Sequence, residues 1–163
     1  MSLISFFKDA GEKLFGKKAQ AAQSEATADP AEIAAANREA ATAIENYINS
    51  MGLTATGLTV TYDGASATAK VYGIAKDQAT KEKIILAAGN VQGIAAVDDN
   101  MTVDLSQPES KYYTVVKGDT LSKIAKEQYG DANAYQKIFE ANKPMLTHPD
   151  KIYPGQNLRI PPK

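Results

Sequence analysis

Between Gly16 and Ala28 the chain reads Gly-Lys-Lys-Ala-Gln-Ala-Ala-Gln-Ser-Glu-Ala-Thr-Ala, with no large apolar residue. Such a stretch cannot bury enough surface to offset the entropy of ordering it, so it is a linker, with some helical tendency from Ala and Gln. A second break, Ser106-Gln107-Pro108-Glu109-Ser110-Lys111, is polar, holds a proline and has no apolar anchor. The two breaks divide 163 residues into a leading segment (1–16), a linker (17–29), a middle block (30–105), a linker (106–111) and a closing block (112–163). Two small cores are therefore expected. The chain has no cysteine, so neither core can lean on a disulfide or a thiolate metal site, and packing or a bound ligand must stabilise them.

In the leading segment Leu3, Ile4, Phe6, Phe7, Ala10, Leu14 and Phe15 recur at three- and four-residue steps, which predicts a short amphipathic helix. A helix this short needs a surface to pack on. Gly11 interrupts the stripe, and a glycine there lets a second backbone approach closely or lets the ladder break and free its carbonyls. The apolar run at the start is too short for a secretory signal and is followed at once by Lys8 and Asp9, so a cytoplasmic protein is expected. No stretch reaches the roughly 18–20 apolar residues of a membrane span.

The middle block opens on Asp29-Pro30, a capping side chain followed by the residue best suited to a first helical position. The helix should run to about Met51, burying Ile33, Ala40, Ile44, Tyr47, Ile48 and Met51, and stop at Gly52. Alternation over Leu58–Tyr62 and Ala67–Gly73 around Asp63-Gly64 predicts a hairpin. A second helix from about Lys76 to Ala88 ends at Gly89-Asn90-Val91-Gln92-Gly93, and Ile94 onward leads a third strand to near Val103. The fold class is α+β, an αββαβ unit with helices on one face of a small sheet. The closing block reads as a βααβ unit: a strand at Tyr112–Val116, a helix at Thr120–Tyr129, a second helix capped by Asp131, and a strand at Asn157–Pro161.

Several function classes fall away at this point. Eighteen basic and 19 acidic side chains leave no field for a polyanion, and the eight Tyr and four Phe do not sit among basic clusters, so nucleic acid is not expected as a partner. The single His148 has no second ligand at zinc spacing and reads as a surface loop residue. Asp98, Asp99 and Asp104 form the densest carboxylate group, but adjacent strand residues point to opposite faces, so they read as solvated strand-end charges. No catalytic constellation, EF-hand or Walker loop is present in the sequence, and a non-enzyme is expected.

The closing run Tyr-Thr-Val-Val-Lys-Gly-Asp-Thr-Leu-Ser-Lys-Ile-Ala, then Ile-Phe-Glu-Ala-Asn and Ile-Tyr-Pro-Gly-Gln-Asn-Leu-Arg-Ile-Pro, resembles a LysM domain over Tyr112–Pro162. The middle block, with its Asp-Gly hairpin and Gly-Asn-Val-Gln-Gly-Ile-Ala-Ala-Val-Asp-Asp, is similar to a BON domain. Together with the leading Phe-Lys-Asp-Ala-Gly-Glu-Lys-Leu-Phe, the chain resembles the small bacterial cytoplasmic potassium-binding proteins that join these two domains. The long Ala/Gln-rich tract from about Lys17 to Ala36 departs from that pattern.

That resemblance implies a potassium ion as ligand, with rubidium or caesium as substitutes, and a monomer. It carries the ion site to the backbone oxygens of Phe7, Ala10, Gly89, Val91 and Ile94, with Glu12 as a sixth. Elementary chemistry is compatible with this: a large monovalent cation can exchange its water for neutral carbonyl dipoles, provided the backbone is neither helix nor sheet where they converge. The disturbed helix around Phe7, Ala10 and Gly11 and the turn from Gly89 to Ile94 both meet that condition, although the turn also reads as an ordinary helix C-cap. The LysM resemblance implies an alternative: glycan binding at the cell envelope, in a groove between Gly118-Asp119-Thr120-Leu121 and Lys143-Pro144-Met145-Leu146-Thr147-His148. For a cytoplasmic chain the LysM unit is expected instead to serve as a packing partner.

Overall fold

A computed structural model describes residues 2–6, 11, 13–14, 30–105 and 108–162. A four-stranded sheet holds β1 (Ser2–Ser5), β2 (Thr56–Asp63), β3 (Thr68–Asp77) and β4 (Ala96–Leu105) in the order β1-β4-β3-β2. The helices α1 (Pro30–Ser50) and α2 (Gln78–Gly89) pack on it. β2 and β3 form the antiparallel hairpin, with Tyr62 opposite Ala69 and Val60 opposite Val71. From β3 the chain crosses over through α2 and returns parallel as β4, the connection that parallel neighbours require. Ile44 and Ile48 of α1, Ile84, Ile85 and Leu86 of α2, and Val71 and Val97 of the sheet form the sealed centre of this core. On the opposite face Tyr72 and Ile74 of β3 are exposed.

The leading segment departs from the expected helix. Ser2–Ser5 pair antiparallel with β4, placing Leu3 opposite Asp98 and Ile4 opposite Val97. Leu3 and Ser5 are exposed, whereas Ile4 packs on the core and Phe6 is buried. That is a period of two, and over so few residues an apolar cluster fits either period. The open edge of β4 offers hydrogen bonds at once, while a short helix must first be nucleated. The rest of the expected helix, residues 7–10, 12 and 15–16, and the linker 17–29 lie outside the described residues.

The closing block has β5 (Lys111–Thr114), α3 (Leu121–Tyr129), a 3₁₀ turn (Ala132–Ala134), α4 (Tyr135–Ala141) and β6 (Asn157–Ile160). β5 and β6 pair antiparallel, and Leu121, Ile124, Ile138, Leu146, Leu158 and Ile160 fill a second core. Thr120 caps α3 by accepting from the Lys123 N–H, and Gly130 ends that helix at φ 77°. Asp131 caps the 3₁₀ turn that precedes α4, so the second helix begins later than its capping residue suggests. Tyr112 and Met145 of this block pack against the first core.

Candidate functional site

Where α2 ends, the backbone stops satisfying itself. The Asn90 N–H still donates to Leu86 O at 3.0 Å, and the Val91 N–H reaches back to Ala88 O at 3.4 Å. Ile94 N–H then donates to Val91 O at 3.2 Å. Among the described residues no hydrogen bond is formed to the carbonyl oxygens of Gly89 or Ile94. Gly89, Val91 and Ile94 are nevertheless buried, Val91 and Ile94 completely. Buried carbonyls without partners are uncommon, and they concentrate here in one short bend.

Phe6 and Gly11 of the leading segment lie against this bend. Phe6 N–H donates to Ala95 O at 2.7 Å, and its ring lies so near Gly89 that a Cβ there would stand 2.0 Å from the ring edge. Gly11, at φ 111°, presses still harder: a Cβ on it would fall 1.8 Å from Asn90 O. Both glycines are fixed by close approach, the use anticipated for Gly11. Of the expected ion ligands, Gly89, Val91 and Ile94 lie in the bend; Phe7, Ala10 and Glu12 lie outside the described residues. Their neighbours Phe6 and Gly11 touch the bend, at Gly89 and Asn90.

Asn90 was not legible as a functional residue. Its side chain leaves the bend on the far side and treats β6 as a neighbouring strand: Asn90 Nδ2 donates to Asn157 O and Asn157 N–H donates to Asn90 Oδ1, both at 3.0 Å. Asn142, at the end of α4, does the same one pair further on, donating to Arg159 O at 2.9 Å and accepting from Arg159 N–H at 2.7 Å. Two carboxamides thus close the edge of β6 that β5 does not cover. Beside them Arg159 Nη2 meets Glu82 Oε1 of α2 at 3.3 Å, both side chains under one tenth exposed, and Glu82 Oε2 accepts from Ser110 N–H at 2.8 Å. Nothing in residue type alone distinguishes these polar groups from surface ones.

The other candidates fall out differently. His148 is an exposed loop residue, its Nδ1 accepting from Asp150 N–H at 3.1 Å. Among the described residues no group of three or more His, Asp or Glu is placed to hold a metal ion. Asp99 corrects the expectation of a solvated charge. Its side chain is 10% exposed and pairs with Lys81 Nζ at 3.1 Å, because α2 lies over that face of β4. In the two glycan-type loops, Asp119 Oδ2 is occupied by Tyr113 Oη and Val116 N–H, and Leu121 is buried. No helix among the described residues is long and apolar enough to cross a membrane.

A LysM domain family model matches residues 113–161. The potassium binding protein Kbp of Escherichia coli O6:H1 is 45% identical over 161 residues, 99% of each chain. The chain belongs to the Kbp family. Shorter matches to an uncharacterized Deinococcus radiodurans protein, 55% identical over 30% of this chain and 19% of that one, and to YqbP of Bacillus subtilis, 40% identical over 34% and 30%, cover only parts of each. The Kbp match spans the bend, the leading segment and both cores together. Its extent includes the glycine contacts described above, which a match confined to the LysM unit would miss.

Proposed function

We propose that this protein is a cytoplasmic potassium-binding protein, a sensor or buffer, whose ion is held by peptide oxygens where the leading segment meets the bend after α2. The ligands are the carbonyl oxygens of Phe7, Ala10, Gly89, Val91 and Ile94, with Glu12 the sixth. The observation that carries the reading is the seating of Gly11, a sequence neighbour of Ala10 and Glu12, on Asn90 O, in the bend that holds Gly89, Val91 and Ile94. The carbonyls of Gly89 and Ile94, without partners among the described residues, and the full-length likeness to Kbp support it. A singly charged, weakly hydrated ion suits neutral dipoles; rubidium and caesium should substitute, and sodium poorly.

On this reading the middle block is a BON domain spanning 30–105, the LysM unit spans 112–163, and the chain works as a monomer. The ion draws the leading segment onto the bend, and the bend holds Asn90 against β6, so occupancy sets how the LysM unit docks. Binding to the folded form adds RT ln(1 + [L]/Kd), about 2.7 kcal/mol at a hundred times Kd. Melting in potassium, rubidium, caesium, sodium and calcium chlorides at matched ionic strength tests this. Selective stabilisation by the large monovalent ions is expected, and superimposed curves refute it.

A second reading, LysM-mediated glycan binding, has the family match over 113–161 in its favour. Met145, in the second of the two loops, packs against the first core, which supports use of that loop for docking between the units. Retention on insoluble peptidoglycan would favour the glycan reading instead.

A further inference from the structure

A cavity of about 370 Å³ lies between the two units, under the 108–110 segment and away from the Gly89–Ile94 bend. That volume falls within the range of small-molecule sites, and domain junctions are where such sites occur. One wall comes from α2, where Gln78, Lys81 and Glu82 share a face at i, i+3 and i+4. Opposite are Asp99 and Met101 of β4, two residues apart on one strand. Glu109 and Ser110 complete it from the linker, Tyr112 from β5, and Ile4 from β1.

The formal charges in the walls are mostly spent on each other. Lys81 pairs with Asp99, whose other oxygen accepts from Met101 N–H at 3.0 Å. Glu82 uses both oxygens, on Arg159 and on Ser110 N–H. What is left over faces the space. Gln78 is 6% exposed, yet its carboxamide has no hydrogen-bond partner among the described residues. Among the described residues Ser110 Oγ is buried without a partner, and the Tyr112 hydroxyl has none either. The Glu109 carboxylate at the exposed rim forms no ion pair among the described residues. Burying a hydroxyl unpaired is unfavourable, and an interface meant only to be packed would place apolar side chains there rather than a glutamine, a serine and a phenol.

We infer that this cavity is a binding site for a small hydroxylated primary amine. The ammonium group meets the Glu109 carboxylate, and the hydroxyls exchange hydrogen bonds with Gln78, Ser110 and Tyr112. Three carboxylates against one ammonium in the lining disfavour an anion. A single aromatic ring does not make the cage that a quaternary ammonium needs. Because Ile4, α2 and the closing block all contribute walls, the site exists only when the units are docked.

The test uses the full chain and three probes of one shape: serinol, glycerol and glycerate, titrated by calorimetry and by ¹⁵N spectroscopy, with and without potassium. Saturable serinol binding that shifts the Gln78 side-chain amide and the Ser110 amide is expected, with glycerol and glycerate roughly tenfold weaker or more. Gln78→Leu and Ser110→Ala should each weaken serinol roughly tenfold, and Glu109→Gln should abolish the preference for serinol over glycerol. Equal binding of glycerol, tighter binding of glycerate, or no saturable serinol binding overturns the inference and leaves a water-filled gap. Loss of a potassium effect on melting would refute the ion site without altering these titrations.

Discussion

The side-chain amide of Asn90 and the backbone of Asn157 exchange two hydrogen bonds across 67 positions of sequence, in the pattern that paired strands use. The carboxamide has the donor and acceptor of a peptide group, so it can occupy the place of a missing strand. Asn90 is therefore held from two sides: its carbonyl beneath Gly11 and its side chain on β6. One residue thus contacts both the leading segment and the LysM unit.

Replacing that residue should separate the two effects. Asn90→Ala leaves the Asn157 N–H and C=O without their partner in a buried place, which costs about 1–3 kcal/mol of stability in urea unfolding. Asn90→Asp keeps the acceptor but sets a second oxygen against Asn157 O, and should be at least as damaging. In both variants the resonances of β6 should stop responding to potassium while those of the bend still respond.

Gly11→Ala tests the contact on the other side. The added methyl would fall 1.8 Å from Asn90 O, and neither backbone can yield without opening the junction. The potassium-dependent rise in melting temperature should disappear. Gly52→Ala is the control, since Gly52 also has a positive φ, 72°, but nothing lies within 4 Å of its added carbon. It should lose about 1 kcal/mol from backbone strain alone and keep the full potassium response.

How much of this could be read from residues depends on whether a signal was local. Both helices of the middle block, the Asp63-Gly64 hairpin and most LysM elements follow from caps, turns and periodicity; the boundaries move where β3 runs on through Asp77, so the next helix starts at Gln78, and where Asp131 caps a 3₁₀ turn ahead of Tyr135. The leading strand was missed because Leu3, Ile4 and Phe6 fit two periods, and the edge that decided between them lies more than ninety residues away. Nothing local marks Glu82 and Arg159 as buried, for the same reason: their burial comes with a contact between the two units. Main-chain ligands leave no side-chain pattern, so only two glycines fixed by close approach, Gly11 against the Asn90 backbone and Gly89 against the Phe6 ring, mark the site from sequence.

The Glu82–Arg159 pair should behave as a buried ion pair does. Arg159→Met leaves a carboxylate stranded at the junction and should cost about 3–5 kcal/mol, whereas Glu82→Leu with Arg159→Met should recover most of that loss. Recovery will be incomplete, because Glu82 Oε2 also accepts from Ser110 N–H. A double-mutant cycle in urea measures the coupling; additive single losses would show that the two side chains do not interact.

Tyr113 gives the closing block a dependence on alkaline pH. Its hydroxyl donates to Asp119 Oδ2 at 2.8 Å, and that bond, followed by desolvation and the carboxylate's charge, pushes the phenol from 10 up to about 12. The folded state thus holds the proton more tightly than the unfolded chain. The resulting stabilisation is complete below pH 10, and it is lost as pH rises toward 12. Tyr112 and Tyr129 are shifted upward by burial and act in the same direction, so wild-type stability alone cannot isolate Tyr113. The difference between wild type and Tyr113→Phe can, because the variant keeps the other two phenols. Tyr113→Phe should be less stable at neutral pH, and the gap should narrow between pH 10 and 12 in urea midpoints. A constant gap over that interval would mean that the Asp119 contact does not survive in solution.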